Sequence, residues 1–352
     1  MIDWTLAERV AGAVAGAPNG EAAKPLPGDL HAMAAEARVR VVAYSRLEPA
    51  NELPPPEAVD RATWAKANLV TMRGTLDPIV QQAGGGTGPL AGPLKAAGGA
   101  LIAGEIGGIV GFMARHVLGQ YELALLDPTQ GARLLLVTPN LHDAAAGMQV
   151  EIDELLPWVV FHEVTHAVQF NGVPWLRDHL AAMLRELLSS LQMKVDPAAL
   201  LKLPSIDELR GMWDQMREGG LVTAVAGPER KALIDRLQAT MALIEGHAEH
   251  VMDAAGAPVL PNVAKLRAAM DRRRKDRPPL FKLLERLLGL DMKMRQYEHG
   301  KRFCDAVVAR GGIDALNRAW SAPDKLPTLA ELDDPAGWIR RTELRAVTPP
   351  GA

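Results

Sequence analysis

Apolar residues recur along most of this chain at intervals of three and four, the spacing that turns one face of a helix toward a core. Residues 1–80 read as helical, punctuated by the proline clusters at Pro25–Pro27 and Pro54–Pro56. The most apolar stretch runs from Gly98 to Met113. Its glycines at 104, 107, 108 and 111 predict a buried helix that approaches a neighbour closely. Two short runs then break the helical period. Gln120–Leu126 and Arg133–Thr138 read as strands, the second a compact apolar run between Gly131 and Pro139. A strong helix follows over Leu156–Phe170. Asp153 and Glu154 sit before its start, Pro157 fits its first turn, and Gly172 and Pro174 stop it. Leu176, Leu180, Leu184, Leu187 and Leu191 form the stripe of a second helix, and Lys231–Met252 forms a third. Pro278–Arg310 carries one or two more, and the Pro-rich tail from Ser321 is expected to be irregular.

These elements predict an α+β fold, mostly α, with a small sheet packed beside the Leu156–Phe170 helix. An N-terminal, mainly helical part is expected over 1–115 and a second part over 116–352, within one continuous structural unit.

Composition narrows the function classes. Of 352 residues, 48% are hydrophobic and 23% charged, a globular balance that suffices for a sizeable core. The formal charge of −3 gives no basic excess, so a nucleic-acid partner is not expected. The single cysteine, Cys304, excludes a disulfide within the chain and any multi-cysteine metal site. The N-terminus lacks a basic segment followed by an apolar one, so no signal peptide is read there. Glu105 interrupts the Gly98–Met113 stretch, which is too short for a membrane span of ~20 residues. A cytoplasmic location is the expectation. The Gly84–Pro89 loop lacks the Lys-Ser/Thr of a phosphate loop, and Gly104, Gly107 and Gly108 do not fit a dinucleotide fingerprint.

The chemistry concentrates in Phe161-His162-Glu163-Val164-Thr165-His166. Histidines four apart on a helix lie on one face, so both imidazoles can reach one Zn²⁺, and Glu163 can reach a water on that ion. Zinc lowers the pKa of such a water to ~7, and a carboxylate then serves as base and proton shuttle. A third ligand is needed. Gln169 and Gly172 stand where the longer HExxHxxGxxH motif would have Gly and His, which excludes that class. The later segment Ile244-Glu245-Gly246-His247-Ala248-Glu249-His250 resembles the downstream glutamate segment of glutamate zincins. That resemblance makes Glu245 the ligand and Glu249 a supporting residue one turn later. Ile244 and His247 depart from the usual pattern, so His247, Glu249 and His250 stay open as ligands. Gly246 is expected to let its helix approach the motif helix. Glu249 and Asp253 are candidates to orient the imidazoles. Tyr297, with His299 as alternative, is the candidate to stabilise an oxyanion.

Together HEVTHAVQFNGVPWLRDHL, MALIEGHAEHVMDA and QYEHGKRF resemble a family of uncharacterised, mainly actinobacterial zinc-dependent metalloproteases with a zincin-like fold. DWTLAERV, VDRATWAKANL and LGQYELALL fit as well, and the resemblance extends from about Asp3 to Arg341. It implies a zinc hydrolase and does not by itself establish peptidase activity; the expected substrate is an unidentified peptide or small amide. The family is often labelled as associated with biosynthesis of the deazaflavin coenzyme F-420. Two other readings stand beside it: a non-catalytic zinc-binding scaffold closed by a fourth ligand such as His250 or His247, and a metal-free partner protein of deazaflavin coenzyme metabolism.

Overall fold

The computed structural model describes residues 2–16, 24–83, 91–125, 130–190, 228–275 and 291–344. Side chains at 78–83, 91–97, 190, 228–229, 274–275, 291–298 and 344 also lie outside the description. The expected loop at Gly84–Pro89 falls outside it, as does Leu191. The described elements are mainly helices with one three-stranded sheet, an α+β arrangement. The chain forms two compact units. One comprises Met1–Ala43, Leu47–Gly172 and Met252–Met270. The other comprises Tyr44–Arg46, Val173–Val251 and Asp271–Ala352.

The first unit contains α1 (Trp4–Ala15), α2 (Leu30–Ser45, its last two residues excepted), β1 (Pro56–Val59), α3 (Arg61–Ala83) and α4 (Ala91–Ala114). It continues with β2 (Gly119–Glu122), β3 (Arg133–Val137), α5 (Thr138–Met148) and α6 (Ile152–Gly172). Asp3 caps α1 by accepting from the Leu6 N–H, one of the donors that a helix start leaves unsatisfied. Helices α1, α3 and α4 pack together around Ala7, Ala11, Trp64, Leu69, Ala103 and Val110. The α1–α4 approach is set by glycine. A Cβ on Gly107 would sit 2.5 Å from the Ala7 carbonyl oxygen, and one on Gly111 equally close to that of Ala11. Gly104 and Gly108 have nothing within 4 Å, so two of the four glycines perform the expected role.

The sheet order is β1-β3-β2, with β1 parallel and β2 antiparallel to β3. Central β3 is covered on both faces: Leu134, Leu135, Leu136 and Val137 are all buried, as the uninterrupted apolar run requires. Both sequence-derived strands are present, although the first ends at Glu122 rather than Leu126. Strand β1 was not anticipated. It begins at Pro56, whose missing N–H is tolerated at the first residue of an edge strand. Helix α6 packs against β2. It starts one turn earlier than expected, at Ile152. Asp153 and Glu154 therefore occupy its first turn, where carboxylates suit the helix dipole, and Pro157 lies inside.

The second unit contains α7 (Leu176–Ser190), most of α8 (Pro228–Gly256) and α10 (Asp291–Asn317); α9 (Val263–Lys275) belongs largely to the first. On α7, Leu176 and Leu180 are buried while Leu184 and Leu187 are half-buried. Gly312, at φ 71°, divides α10 into two helical stretches. From Ser321 to Leu344 the tail is ordered, against expectation. It forms a 3-10 turn, then α11 (Leu329–Leu332) and α12 (Pro335–Leu344). Thr328 and Glu331 form a reciprocal capping box at α11. Trp338 is fully buried edge-on against Phe303, its indole N–H donating to the Lys325 carbonyl. Arg341 donates to both oxygens of Glu331 and to the carbonyls of Asp324 and Leu326. No helix among the described residues is long and apolar enough to cross a membrane.

The glycine contacts predict opposite outcomes on one helix. Gly111→Ala should destabilise by about 1–3 kcal/mol, because its methyl meets backbone rather than a movable side-chain end. Gly108→Ala should stabilise by about 0.5–1 kcal/mol, because alanine restricts the unfolded chain and meets nothing. Urea denaturation of both variants checks the signs.

Candidate metal centre

His162, Glu163 and His166 lie in the middle of α6, in a turn whose neighbours Val159, Val160, Phe161, Val164, Ala167 and Val168 are all buried. The Thr165 hydroxyl donates to the Phe161 carbonyl at 2.7 Å, which satisfies one polar group on that surface. His166 and Glu163 are buried and His162 is half-buried. The imidazoles meet edge to face with ring centroids 4.7 Å apart, and the His162 ring is parallel to that of Trp158. Their Nε2 atoms lie 3.2 Å apart. Two nitrogens bound to one tetrahedral zinc at ~2.0–2.1 Å would be separated by about 3.3 Å. The pair is therefore set at ligand spacing.

A carboxylate oxygen of Glu245, on α8, completes the group. The ligand atoms of His162, His166 and Glu245 all lie within 4.8 Å of one another. Among the described residues this is the group of three or more such side chains that could hold a metal ion. Two nitrogens and one carboxylate oxygen form a donor set that zinc accepts.

The other residues singled out from the sequence have different surroundings. His247 is fully buried and meets the Trp320 ring edge to face. His250 stands in a relay: the Tyr44 hydroxyl lies 2.8 Å from Nε2, Asp305 lies 2.7 Å from Nδ1, and Lys301 holds the other Asp305 oxygen at 2.7 Å. Burial and the Asp305 charge together push the Tyr44 hydroxyl pKa up. Burial raises the Asp305 pKa, but hydrogen bonds from His250 and Lys301 outweigh it and hold the carboxyl below its usual value. Glu249 is buried, and Asp253 is paired with Arg267. His299 pairs with Asp333 at 2.9 Å. Tyr297 is in α10, with its side chain outside the described residues.

Gly246, next to Glu245, allows a close helix approach, but the atoms it meets belong to α10 rather than to the motif helix. A Cβ there would lie 2.2 Å from the Gly300 carbonyl carbon, and one on Gly300 would lie 1.9 Å from the Ala242 oxygen. Two facing glycines let backbone touch backbone, and this seats the Glu245 segment of α8.

One functional contact escaped the sequence reading. The backbone N–H of Tyr121, on β2, donates to Glu163 Oε2 at 2.7 Å. Gly119, two residues earlier, was a legible signal, since a glycine in a strand often marks a close approach.

Gly300→Ala should cost about 3 kcal/mol or more and weaken zinc uptake, because two rigid backbones must separate; urea denaturation and zinc titration check it. Asp305 predicts a pH effect. Its folded pKa is lowered, so its stabilisation is present above the ordinary carboxyl value near pH 4 and lost as pH falls through the folded value. Asp305→Asn should therefore flatten the acid limb of a stability–pH curve, measured between about pH 5 and 2.

Residues 2–339 match the family described as "Zincin-like metallopeptidase". A solved structure described as "a putative hydrolase with a novel fold from Chloroflexus aurantiacus" is 28% identical, with a TM-score of 0.66, covering 97% of this chain and 99% of that one. No curated protein matches. The match over nearly the whole chain places it: this chain belongs to the zincin-like metallopeptidase family.

Proposed function

We propose that this chain is a zinc-dependent hydrolase acting on peptide or small amide bonds. The observation that carries the reading is the convergence of His162, His166 and Glu245 donor atoms within 4.8 Å, with the Glu163 carboxylate on the same helical turn. His162 and His166 would bind zinc as neutral imidazoles through Nε2, and Glu245 through one carboxylate oxygen. Zinc bound there supplies Lewis acidity, which favours deprotonation of water and polarises a carbonyl.

The remaining work falls to the chain. Glu163 is buried, so its carboxylate meets a reacting water without a competing bulk-solvent shell. It accepts a proton from that water as the oxygen attacks the carbonyl carbon, then returns the proton to the leaving nitrogen. Its Tyr121 N–H contact limits how far the carboxylate can swing. The oxyanion role goes to Tyr297 on sequence grounds, His299 being engaged by Asp333.

Elemental analysis tests the reading. Purified protein should carry about one zinc per chain, and His162→Ala/His166→Ala should carry none. Glu163→Gln should keep the metal while hydrolysis of a peptide library slows by about 10²-fold or more. A wild-type protein that takes up no zinc on reconstitution, or a Glu163→Gln variant with unchanged turnover, overturns it.

A further inference from the structure

Strand β2 is the edge of the sheet beside α6, and three of its four residues are tied down through their side chains. The Gln120 and Asn68 side-chain amides pair with each other, and Thr71 donates to Glu122. The Tyr121 hydroxyl accepts from Asn171 at 3.1 Å, and its ring packs near Phe170, both near the C-terminal end of α6. Register with β3, together with the Val137 N–H donating to the Leu118 carbonyl, turns the backbone groups of 118, 120 and 122 toward β3. The Tyr121 N–H therefore points the other way, where it reaches Glu163 Oε2.

Gly119 completes the arrangement. A Cβ at this position would lie 2.8 Å from Glu163 Cγ, 3.0 Å from Glu163 Oε1 and 2.9 Å from Val159 Cγ1. Its φ is not in the left-handed region, so the glycine is required by space rather than by backbone conformation. The atoms that claim that space are chiefly those of the carboxylate side chain.

We propose that Gly119 and the Tyr121 N–H are positioning groups for Glu163: the N–H holds one carboxylate oxygen, and the missing side chain leaves the other its place. Tyr121 is itself held through Asn171, so α6 carries both the carboxylate and the anchor of the strand that aims it. The proposal deepens the hydrolase reading and rests on Glu163 acting at the metal. It assigns no contact with substrate to either β2 residue.

The first test needs no metal. In metal-free full-length protein, hydrogen exchange at the Tyr121 amide, resolved by NMR, should speed about tenfold or more in Glu163→Ala, with the amides of 120 and 122 little changed. An unchanged Tyr121 rate overturns the proposal. The second test uses Co²⁺-loaded protein titrated with acetohydroxamate and read by visible absorption. Glu163→Gln should weaken binding about tenfold or more, and Gly119→Ala should do the same at unchanged Co²⁺ stoichiometry while adding nothing in the Glu163→Gln background. Undiminished binding by Gly119→Ala alone sinks the positioning role and leaves the hydrolase reading intact. Undiminished binding by Glu163→Gln sinks the reading of Glu163 on which it rests. If Gly119→Ala does not fold, Tyr121→Pro replaces it, with Tyr121→Ala as control. Both lose the ring, but only proline loses an N–H that lies outside the ladder. Equal acetohydroxamate affinity in those two variants also overturns the proposal.

Discussion

A carboxylate and two imidazoles share one turn of a helix whose adjoining positions are mostly buried and apolar, and this is costly unless each polar group meets a partner. The demand falls hardest on Glu163, which is buried. Its answer is the Tyr121 N–H, so β2 has to run where it does. The path back from that strand is a chain of side-chain bonds. Arg61 on α3 donates to Asn140 on α5. Asn140 donates to the carbonyls of Ala114, at the end of α4, and Val117, just before β2. An orphan helix-end carbonyl and the entry to the strand are thus satisfied by one buried amide. Asn68, Thr71 and Asn171 then hold the strand along its length. The helical and sheet parts of the first unit converge on a single carboxylate.

Close approach is the second constraint, and at five described positions glycine supplies it. Gly107 and Gly111 seat α4 on α1, Gly246 and Gly300 seat α8 on α10, and Gly119 leaves room for Glu163. None of the five has a positive φ, so each is needed for the volume it vacates.

The relay from Tyr44 through His250 and Asp305 to Lys301 has a different logic. Together with the Asn317 bond to the Ser45 carbonyl and the Arg46–Asp314 pair, it secures the short Tyr44–Arg46 segment within the second unit. Both ring nitrogens of His250 are engaged in it, by Tyr44 and by Asp305. Arg46 itself adopts φ 58°, an unusual conformation for a residue with a side chain.

Local pattern made much of the fold legible. Helix α6, its stop at Gly172, the apolar helix α4 and strand β3 all follow from periods and breakers within a few residues. The His-Glu-x-x-His turn was legible for the same reason, since helical geometry alone places residues four apart on one face. Strand β1 escaped because three prolines mask it and only pairing with β3 makes it a strand. The tail escaped because Trp338 and Arg341 acquire order from partners ten or more residues away. What the chain determined by itself was the identity and local spacing of the chemical groups. That a Glu245 oxygen lies near both histidines, that His250 meets Tyr44, and that the Tyr121 N–H reaches Glu163 are visible only in the tertiary structure, because those contacts join positions from 42 to 206 residues apart that no local period relates.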